Sequence, residues 1–355
     1  MNVGGLGLLF YKKNWLLFIL TITIWLSGCQ MKTQPVVSVE HTGFAFGGLI
    51  QYTLIGSQEQ CEKAFQEMNL MFQKLDAEFS ANSDTSILSQ VNATAATSPV
   101  PISKTMLDLL LISQDLAQKS NLALNPVIGP LVKLWSIGFE TARVPAPEEI
   151  TAVLNLLQIT GLRLDSAAVT VAFETQGMAL DLGSIVKGYA AKEALRVCQE
   201  HQLKGALISV NGNVAVYGSR SNGESWNIGI VDPRSNGNGV VGSITWKDST
   251  IATSGDYERY FEQDGKRYHH LLDSSTGYPA ESEWISVSIF SAEGALADAL
   301  STTVFVLGKE KGLKFLEQYE DIDFLLIDHE LKMWASPNIR ERFQVRNDSY
   351  HWGLK

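Results

Sequence analysis

Asp181-Leu-Gly-Ser-Ile-Val-Lys-Gly-Tyr-Ala-Ala-Lys-Glu-Ala194 is the stretch around which the rest of the chain is read. An apolar approach ends in Asp181, Gly183 permits a tight turn, and the Ala-rich run from Ser184 predicts a helix. Ser184 is the expected N-cap, its oxygen accepting a backbone N–H two or three residues on. Lys187 then falls in the first turn, where the helix dipole disfavours a cation. An anion such as phosphate at the same helix start would offset that cost. An ordinary strand–turn–helix with a solvated lysine is the alternative, and this segment alone does not choose between them.

Upstream, Phe44 to Ile55 reads as a strand broken by Gly47-Gly48, where glycines mark a bulge or close approach to a ligand. Residues 58–79 carry Ala64, Phe65, Met68, Met71, Phe72, Leu75 and Phe79 on one helical stripe, a core-facing pattern. Residues 80–101 are rich in Ser, Thr, Asn and Ala and are expected to form a loop or an ordered surface segment. A helix follows from Ser103, its cap, to Lys119. Residues 121–139 are apolar but punctuated by Asn125-Pro126 and Gly129-Pro130, which fits a long loop or a short helix after a turn. Residues 147–157 form a short helix with Pro147 at its start. Strands are expected at 161–173 and 178–181.

Downstream, 205–217 is β-rich and interrupted by Asn211-Gly212, a hairpin or bulge, or a place where a ligand nears the backbone. Further strands fall at 226–231, 239–246 and 250–253, with turn-rich links that favour antiparallel pairing. The expected fold is therefore α+β: twisted, largely antiparallel sheets packed with helices, in one catalytic unit.

The N-terminus has a different character. Lys12 and Lys13 precede the apolar run 15–26, and Leu26-Ser-Gly-Cys29 follows. This pattern predicts a lipoprotein signal over residues 1–28, lipidation of Cys29, and a tether over 29–41 that leads into a catalytic domain at 42–355. The apolar run is shorter than the roughly 20 residues a membrane span needs, which leaves an uncleaved helix as the weaker alternative. The expected location is the extracytoplasmic face of the cell membrane, held by the lipid.

The net charge is −10, and the signal region contributes two lysines and no acids, so the mature chain is two charges more acidic. Such a surface argues against nucleic acid as a partner. Beyond Cys29 only Cys61 and Cys198 remain, expected as buried thiols rather than a disulfide framework. Zinc-type Cys/His spacings, a Walker loop and a Gly-x-Ser-x-Gly elbow are all missing from the sequence.

Three clusters carry candidate chemistry. Thr253-Ser-Gly-Asp256-Tyr257 reads as a polar turn between strands. His270, in Tyr268-His-His-Leu-Leu-Asp273, sits where a strand end would meet a turn, and is either catalytic or structural. Asp298, Ser301 and Thr302 are spaced i, i+3, i+4 on an apolar helix that stops at Gly308. A carboxylate and hydroxyls on one buried face suit a hard cation such as Mg²⁺, or an internal hydrogen-bonded cap.

Five ordered segments together resemble the ApbE family, the FAD:protein FMN transferases. They are Asn125-Pro-Val-Ile-Gly-Pro-Leu-Val-Lys-Leu-Trp135, Asp181 to Tyr189, Ile251-Ala-Thr-Ser-Gly-Asp-Tyr257, His270-Leu-Leu-Asp273 through Thr276-Gly-Tyr-Pro279, and Ala297-Asp-Ala-Leu-Ser-Thr302. The resemblance implies Mg²⁺-dependent transfer of FMN from FAD to a Thr or Ser hydroxyl of an exported acceptor, with AMP released. It implies Asp298, Thr302, Ser184 and Ser301 as metal ligands and His270 as general base. FAD contacts would come from Phe46, Asn82, Ala123, Leu124, Asn125, Asp181, Lys187 and Leu272. The acceptor would carry an Asp-x-x-[Ser/Thr]-Gly-Ala-[Ser/Thr] segment. The chain departs from the family pattern at Phe46-Gly47-Gly48 (usually Met-Gly-Thr), at Asn125 (often Asp) and at Ser274-Ser275 (often Pro-Arg). Asp273-Ser-Ser-Thr276-Gly resembles the start of the acceptor segment, but Tyr278-Pro279 breaks it, so self-modification is not expected. Two alternatives remain at this stage: an FAD pyrophosphatase using the same metal site, and a non-catalytic flavin-binding lipoprotein.

Overall fold

The computed structural model describes Met1, residues 35–235 and residues 237–353. The signal segment and Cys29 lie outside the described residues. The chain folds around a nine-stranded sheet. Its strands are β1 (Val37–Ala45), β2 (Gly48–Gly56), β6 (Gly205–Val210), β7 (Asn213–Gly218), β10 (Ser249–Gly255), β13 (Trp284–Ser291), β14 (Asp323–Asp328), β15 (Lys332–Ala335) and β17 (His351–Trp352), side by side in that order. Every neighbouring pair is antiparallel except β15–β17. The α+β expectation holds.

Each face of the sheet has its own core. On one face the alternating residues Ile50, Tyr52, Leu54, Ala206, Ile208 and Val210 meet helices α1 (Gln58–Phe79), α6 (Val186–Glu200) and α7 (Gly294–Leu316). On the other, Ile55, Val216, Ile251 and Phe290 meet the inward side chains of a three-stranded sheet of β16 (Gln344–Val345), β9 (Val240–Trp246) and β8 (Trp226–Val231). Period-two alternation is what lets one strand supply both cores. A satellite cluster joins α4 (Gly129–Trp135) and α5 (Pro147–Leu154) to the hairpin β11 (Tyr260–Gln263)–β12 (Lys266–His269) through Leu131, Trp135, Ile150 and Leu272. A third small sheet orders β3 (Val100–Pro101), β5 (Thr170–Phe173) and β4 (Leu162–Asp165).

Local chemistry explains the elements. Ser57 and Gln60 form a reciprocal capping box at the start of α1, and its buried stripe is Ala64, Met68, Phe72, Leu75 and Phe79, as the spacing predicts. Ser103 caps α3 (Lys104–Lys119) by accepting from the Met106 amide at 2.9 Å. The Asn211-Gly212 pair is a two-residue hairpin turn with φ of 48° and 95°. Cys61 and Cys198 are buried free thiols.

Five expectations are corrected. Residues 44–55 are not one interrupted strand but the β1–β2 hairpin, because Phe46 and Gly47 both adopt positive φ and reverse the chain. The expected loop or surface segment at 80–101 contains the helix α2 (Ile87–Thr94), capped by Ser86 accepting from the Ser89 amide at 3.0 Å. Residues 178–181 make only one bridge, Ile128–Ala179, and no strand. Residues 37–41 of the expected tether pair with β2 as part of β1. Residues 253–255 extend β10 rather than turning.

Helices α6 and α7 cross with their backbones almost in contact. A Cβ on Gly188 would lie 2.1 Å from the Gly294 carbonyl oxygen, and one on Gly294 would lie 2.1 Å from the Gly188 carbonyl oxygen. Only glycine at both positions allows that approach. Gly308, with φ 73° and ψ −170°, breaks the helix at the expected stop, and a second helical run follows the kink to the end of α7.

Candidate active site

A cavity of about 1040 Å³ opens where the start of α6, the α7 crossing and four chain reversals converge. Its size is at the upper end for small-molecule sites, enough for a large nucleotide. Its walls come from the β1–β2 turn, the end of α1, the loop before α4, residues 181–187, the β6–β7 turn, β8, the end of β10, residues 257–259, residues 270–272, and Asp298 and Thr302 of α7.

Ser184 is not the helix cap. α6 begins at Val186, after a turn of residues 183–185, and the residue preceding it makes no side-chain cap. The cap comes from another helix: Asp298 Oδ2 accepts the Gly188 amide at 2.8 Å, from a side chain only 2% exposed. The glycine crossing is what brings a carboxylate from α7 within reach of the start of α6. Among the described residues Asp298 Oδ1 takes no hydrogen bond, and neither does the Ser184 hydroxyl, which borders the cavity.

The hydroxyls on α7 can be ordered by counting protons. Ser301 Oγ donates to the Asp298 carbonyl at 2.7 Å, so at its 2.8 Å contact with Ser254 it accepts. Ser254 has then used its proton, so in the 3.2 Å contact Thr302 donates to Ser254. Both Thr302 lone pairs are left open, and Thr302 lines the cavity. Asp298, Thr302 and Ser184 therefore present unused oxygen acceptors to one space, the donor set a hard cation takes. Ser301 does not join them. It is fully buried, its hydroxyl is committed on both sides, and it lies outside the cavity wall.

Two cations share the cavity wall with these oxygens. Lys187 and Arg259 line the cavity, and neither has an ion-pair partner among the described residues. Glu258 lies between them in charge terms. Burial raises its carboxyl above the usual range, Lys187 and Arg259 pull it back, and Asp298 adds to the rise. The same wall carries the carboxyl groups of Asp76, Asp181, Glu258 and Asp298, so Lys187 and Arg259 are the cations there that face an anionic ligand.

His270 borders the same cavity. Burial, followed by the nearby Arg259 and Lys187 charges, holds its imidazole well below the ordinary pKa, so it is neutral near pH 7. Its Nδ1 lies 3.3 Å from the Arg259 carbonyl oxygen. A carbonyl only accepts, so Nδ1 carries the proton and Nε2 is the basic nitrogen. His269, by contrast, is buried and points its Nε2 at the Ala280 carbonyl, 3.2 Å away.

The remaining expected residues also meet here, in different ways. Asp181 Oδ1 accepts the Gly183 amide at 2.8 Å and shapes the turn before α6. Asn92 on α2 grips the preceding residue twice, donating to the Leu180 carbonyl at 2.9 Å and accepting its amide at 2.7 Å. Phe46 packs edge-on against Phe72, and Asn82 is exposed; both line the cavity, as do Ala123, Leu124 and Leu272. Asn125 borders it too, with half of its amide hydrogen-bonding capacity in use. Nδ2 donates one hydrogen to the Leu157 carbonyl and Oδ1 accepts the Val127 amide, which shapes the loop and leaves one N–H and one lone pair unused.

Comparison with known proteins decides the family. The sequence model of the ApbE family matches residues 43–326. A Treponema pallidum protein named FAD:protein FMN transferase is 37% identical over 295 residues, covering 79% of this chain and 82% of that one. A Klebsiella pneumoniae protein of the same name is 38% identical over 260 residues, covering 73% and 80%. The crystal structure of the Thermotoga maritima ApbE protein superposes with a TM-score of 0.78 at 29% identity, covering 88% of this chain and all of that one. The Vibrio cholerae flavin transferase ApbE gives 0.77 at 26% identity, covering 87% of this chain and all of that one. This chain belongs to the ApbE family. It is accordingly an enzyme, a transferase that moves FMN from FAD to protein.

Within this ApbE site, Glu258 and Arg259 escaped the reading of the sequence, and Ser254, inside the quoted Thr253–Tyr257 cluster, was given no role. Glu258-Arg259 follows directly on the quoted Thr253-Ser-Gly-Asp-Tyr257 segment. Two adjacent charges between an apolar strand and an aromatic hairpin were the available signal. Their backbone is held from the far side, where Asp256 forms a two-point ion pair with Arg234 at 2.7 and 2.9 Å.

Proposed function

We propose that FAD binds with its pyrophosphate between Lys187, Arg259 and the oxygens of Asp298, Thr302 and Ser184, and that the transfer depends on Mg²⁺. The unused acceptors fit that ion: Asp298 Oδ1 and the open lone pairs of Thr302 and Ser184 are oxygen ligands of the kind it prefers. When bound, the ion would neutralise the pyrophosphate and the charge that builds on it.

The acceptor is a Thr or Ser hydroxyl of an exported protein. Its oxygen bonds to the FMN-side phosphorus, the bond from that phosphorus to the bridging oxygen breaks, and the electron pair leaves with AMP. The hydroxyl proton passes to His270 Nε2. Lys187 and Arg259 orient the anion and withdraw charge from it. The observation that carries this reading is His270, its Nδ1 turned to the Arg259 carbonyl oxygen, in the wall of the same cavity as Lys187, Arg259, Asp298 and Thr302.

Export by residues 1–28 and lipid attachment at Cys29 belong to the same proposal, supported by the Leu26-Ser-Gly-Cys29 sequence. They would place the catalytic domain, residues 42–355, beside exported acceptors carrying Asp-x-x-[Ser/Thr]-Gly-Ala-[Ser/Thr].

The test is incubation with FAD, MgCl₂ and a protein bearing that segment, followed by intact-mass analysis. An FMN-sized gain on the acceptor, with AMP in solution, is the expected result. Free FMN with AMP and no gain would make the enzyme a hydrolase, and no AMP with any divalent ion would end both readings.

A further inference from the structure

Strand edges invite pairing, and proteins guard them with charge, proline or shortness. The edge strands of this protein follow that rule with one exception among the described residues. β1, at one edge of the large sheet, carries Glu40 and His41, and β17 at the other edge has two residues. β4 carries Arg163 and Asp165, while β3 and β16 have two residues each. The β11–β12 hairpin carries Glu262, Lys266 and Arg267. β8, Trp226-Asn-Ile-Gly-Ile-Val231, has six residues and neither charge nor proline.

β8 pairs only with β9, in a register that is regular from Trp226 to Ile230 and shifts at Val231. Among the described residues no other backbone or side chain bonds to its outer peptide groups. This edge also forms part of the cavity wall, through Ile228, Gly229, Ile230 and Val231. The rim beside it is apolar and open: Phe44 is 66% exposed, Phe139 48% and Val231 43%, and all three line the cavity.

We infer that the free edge of β8 docks the acceptor protein, an extended segment of which pairs as an added strand and carries its hydroxyl into the cavity. The inference rests on the transferase reading, which requires a polypeptide at this mouth. An unguarded edge continuous with the reaction site supplies main-chain affinity that tolerates varied side chains, and the apolar rim receives alternate residues of the incoming strand. One enzyme could then modify several acceptors that share little beyond a short segment.

The experiment keeps the protein unaltered and changes the ligand backbone. A fluorescent peptide containing Asp-x-x-Thr-Gly-Ala-Thr is compared with two versions N-methylated at alternate, complementary backbone nitrogens. Strand addition uses every second N–H, so one version should bind about tenfold more weakly or worse by anisotropy, and the other should bind like the parent. Equal binding by both versions, or no binding by the parent, overturns the inference. Intact-mass analysis of the parent with FAD and MgCl₂ reports separately on chemistry: parity-dependent binding without FMN transfer leaves the docking edge standing and removes the transferase reading.

Discussion

Replacing Gly188 with alanine tests whether the helix crossing builds the site. The new Cβ would stand 2.1 Å from the Gly294 carbonyl oxygen and 2.5 Å from Asp298 Cβ. Favourable contacts between such atoms begin near 3.5 Å, so α6 and α7 must part by about 1 Å. Overpacking of this kind costs about 1–3 kcal/mol, and alanine's better helix propensity returns at most about 1 kcal/mol. At about 2–4 °C per kcal/mol for a large domain, the net cost of about 0–2 kcal/mol lowers Tm by up to about 8 °C. Catalysis should suffer more than stability. The Asp298–Gly188 bond opens, Asp298 shifts relative to Thr302 and Ser184, and a displacement of about 1 Å costs about 10²-fold in rate. The assay is thermal unfolding by circular dichroism beside AMP release measured well below Tm. Gly223→Ala, where the new methyl meets nothing within 4 Å, is the control; only its positive φ of 84° is strained, by about 1–2 kcal/mol. If Gly188→Ala keeps both the parental Tm and the parental rate, the crossing does not position Asp298.

Asp298→Ala should abolish Mg²⁺-dependent turnover and also uncap α6, costing about 1 kcal/mol; metal-dependent activity at the parental level would refute its role. His270→Ala should slow transfer by about 10²–10⁴-fold, and rates within a factor of two of the parent would exclude it as the base. Because His270 is depressed in the folded protein, the unfolded chain takes up the proton first as pH falls. Its neutral form therefore supports stability above about 6.5, and that contribution declines as pH drops below this value. The rate should likewise stay flat through pH 6.5 and fall only in more acidic solution; a half-maximal point at or above 6.5 contradicts the burial argument. Asn92→Ala removes both bonds to Leu180 and should cost about 1–3 kcal/mol while raising the apparent KM for FAD, since the 181–184 turn loses its anchor. An unchanged KM would show that α2 does not brace the turn.

Periodic segments were legible in the sequence, and local exceptions were not. The stripe of α1 and the Ser103 cap of α3 announce themselves through spacing and a cap residue, and both are found where expected. Asn211-Gly212 marks its hairpin because those residues tolerate positive φ, whereas Phe46 adopts the same conformation against its type, so the β1–β2 hairpin was hidden. α2 was hidden by its Ser- and Asn-rich surroundings, although Ser86 caps it. At the site, the i, i+3, i+4 pattern on α7 separated correctly into Asp298 and Thr302 at the cavity, but spacing cannot say that Ser301, one step around the helix, is turned fully inward. Ser184 looked like a cap because caps are ordinarily local. The actual cap, Asp298, is 110 residues away in sequence, and only the tertiary glycine contact reveals it.

The buried hydroxyl of Ser301 has a consequence of its own. It touches no part of the cavity, yet it sets the polarity of everything downstream by taking the Ser254 proton. Exchanging it for alanine deletes one oxygen and frees that proton to rotate toward Thr302. Thr302 then becomes an acceptor within the protein and turns its own hydrogen to the cavity, where a cation would meet a donor. The wiring of three hydroxyls thus runs in one direction because a residue behind the wall fixes it, and a silent-looking substitution there would reverse the sign of what the enzyme shows its ligand.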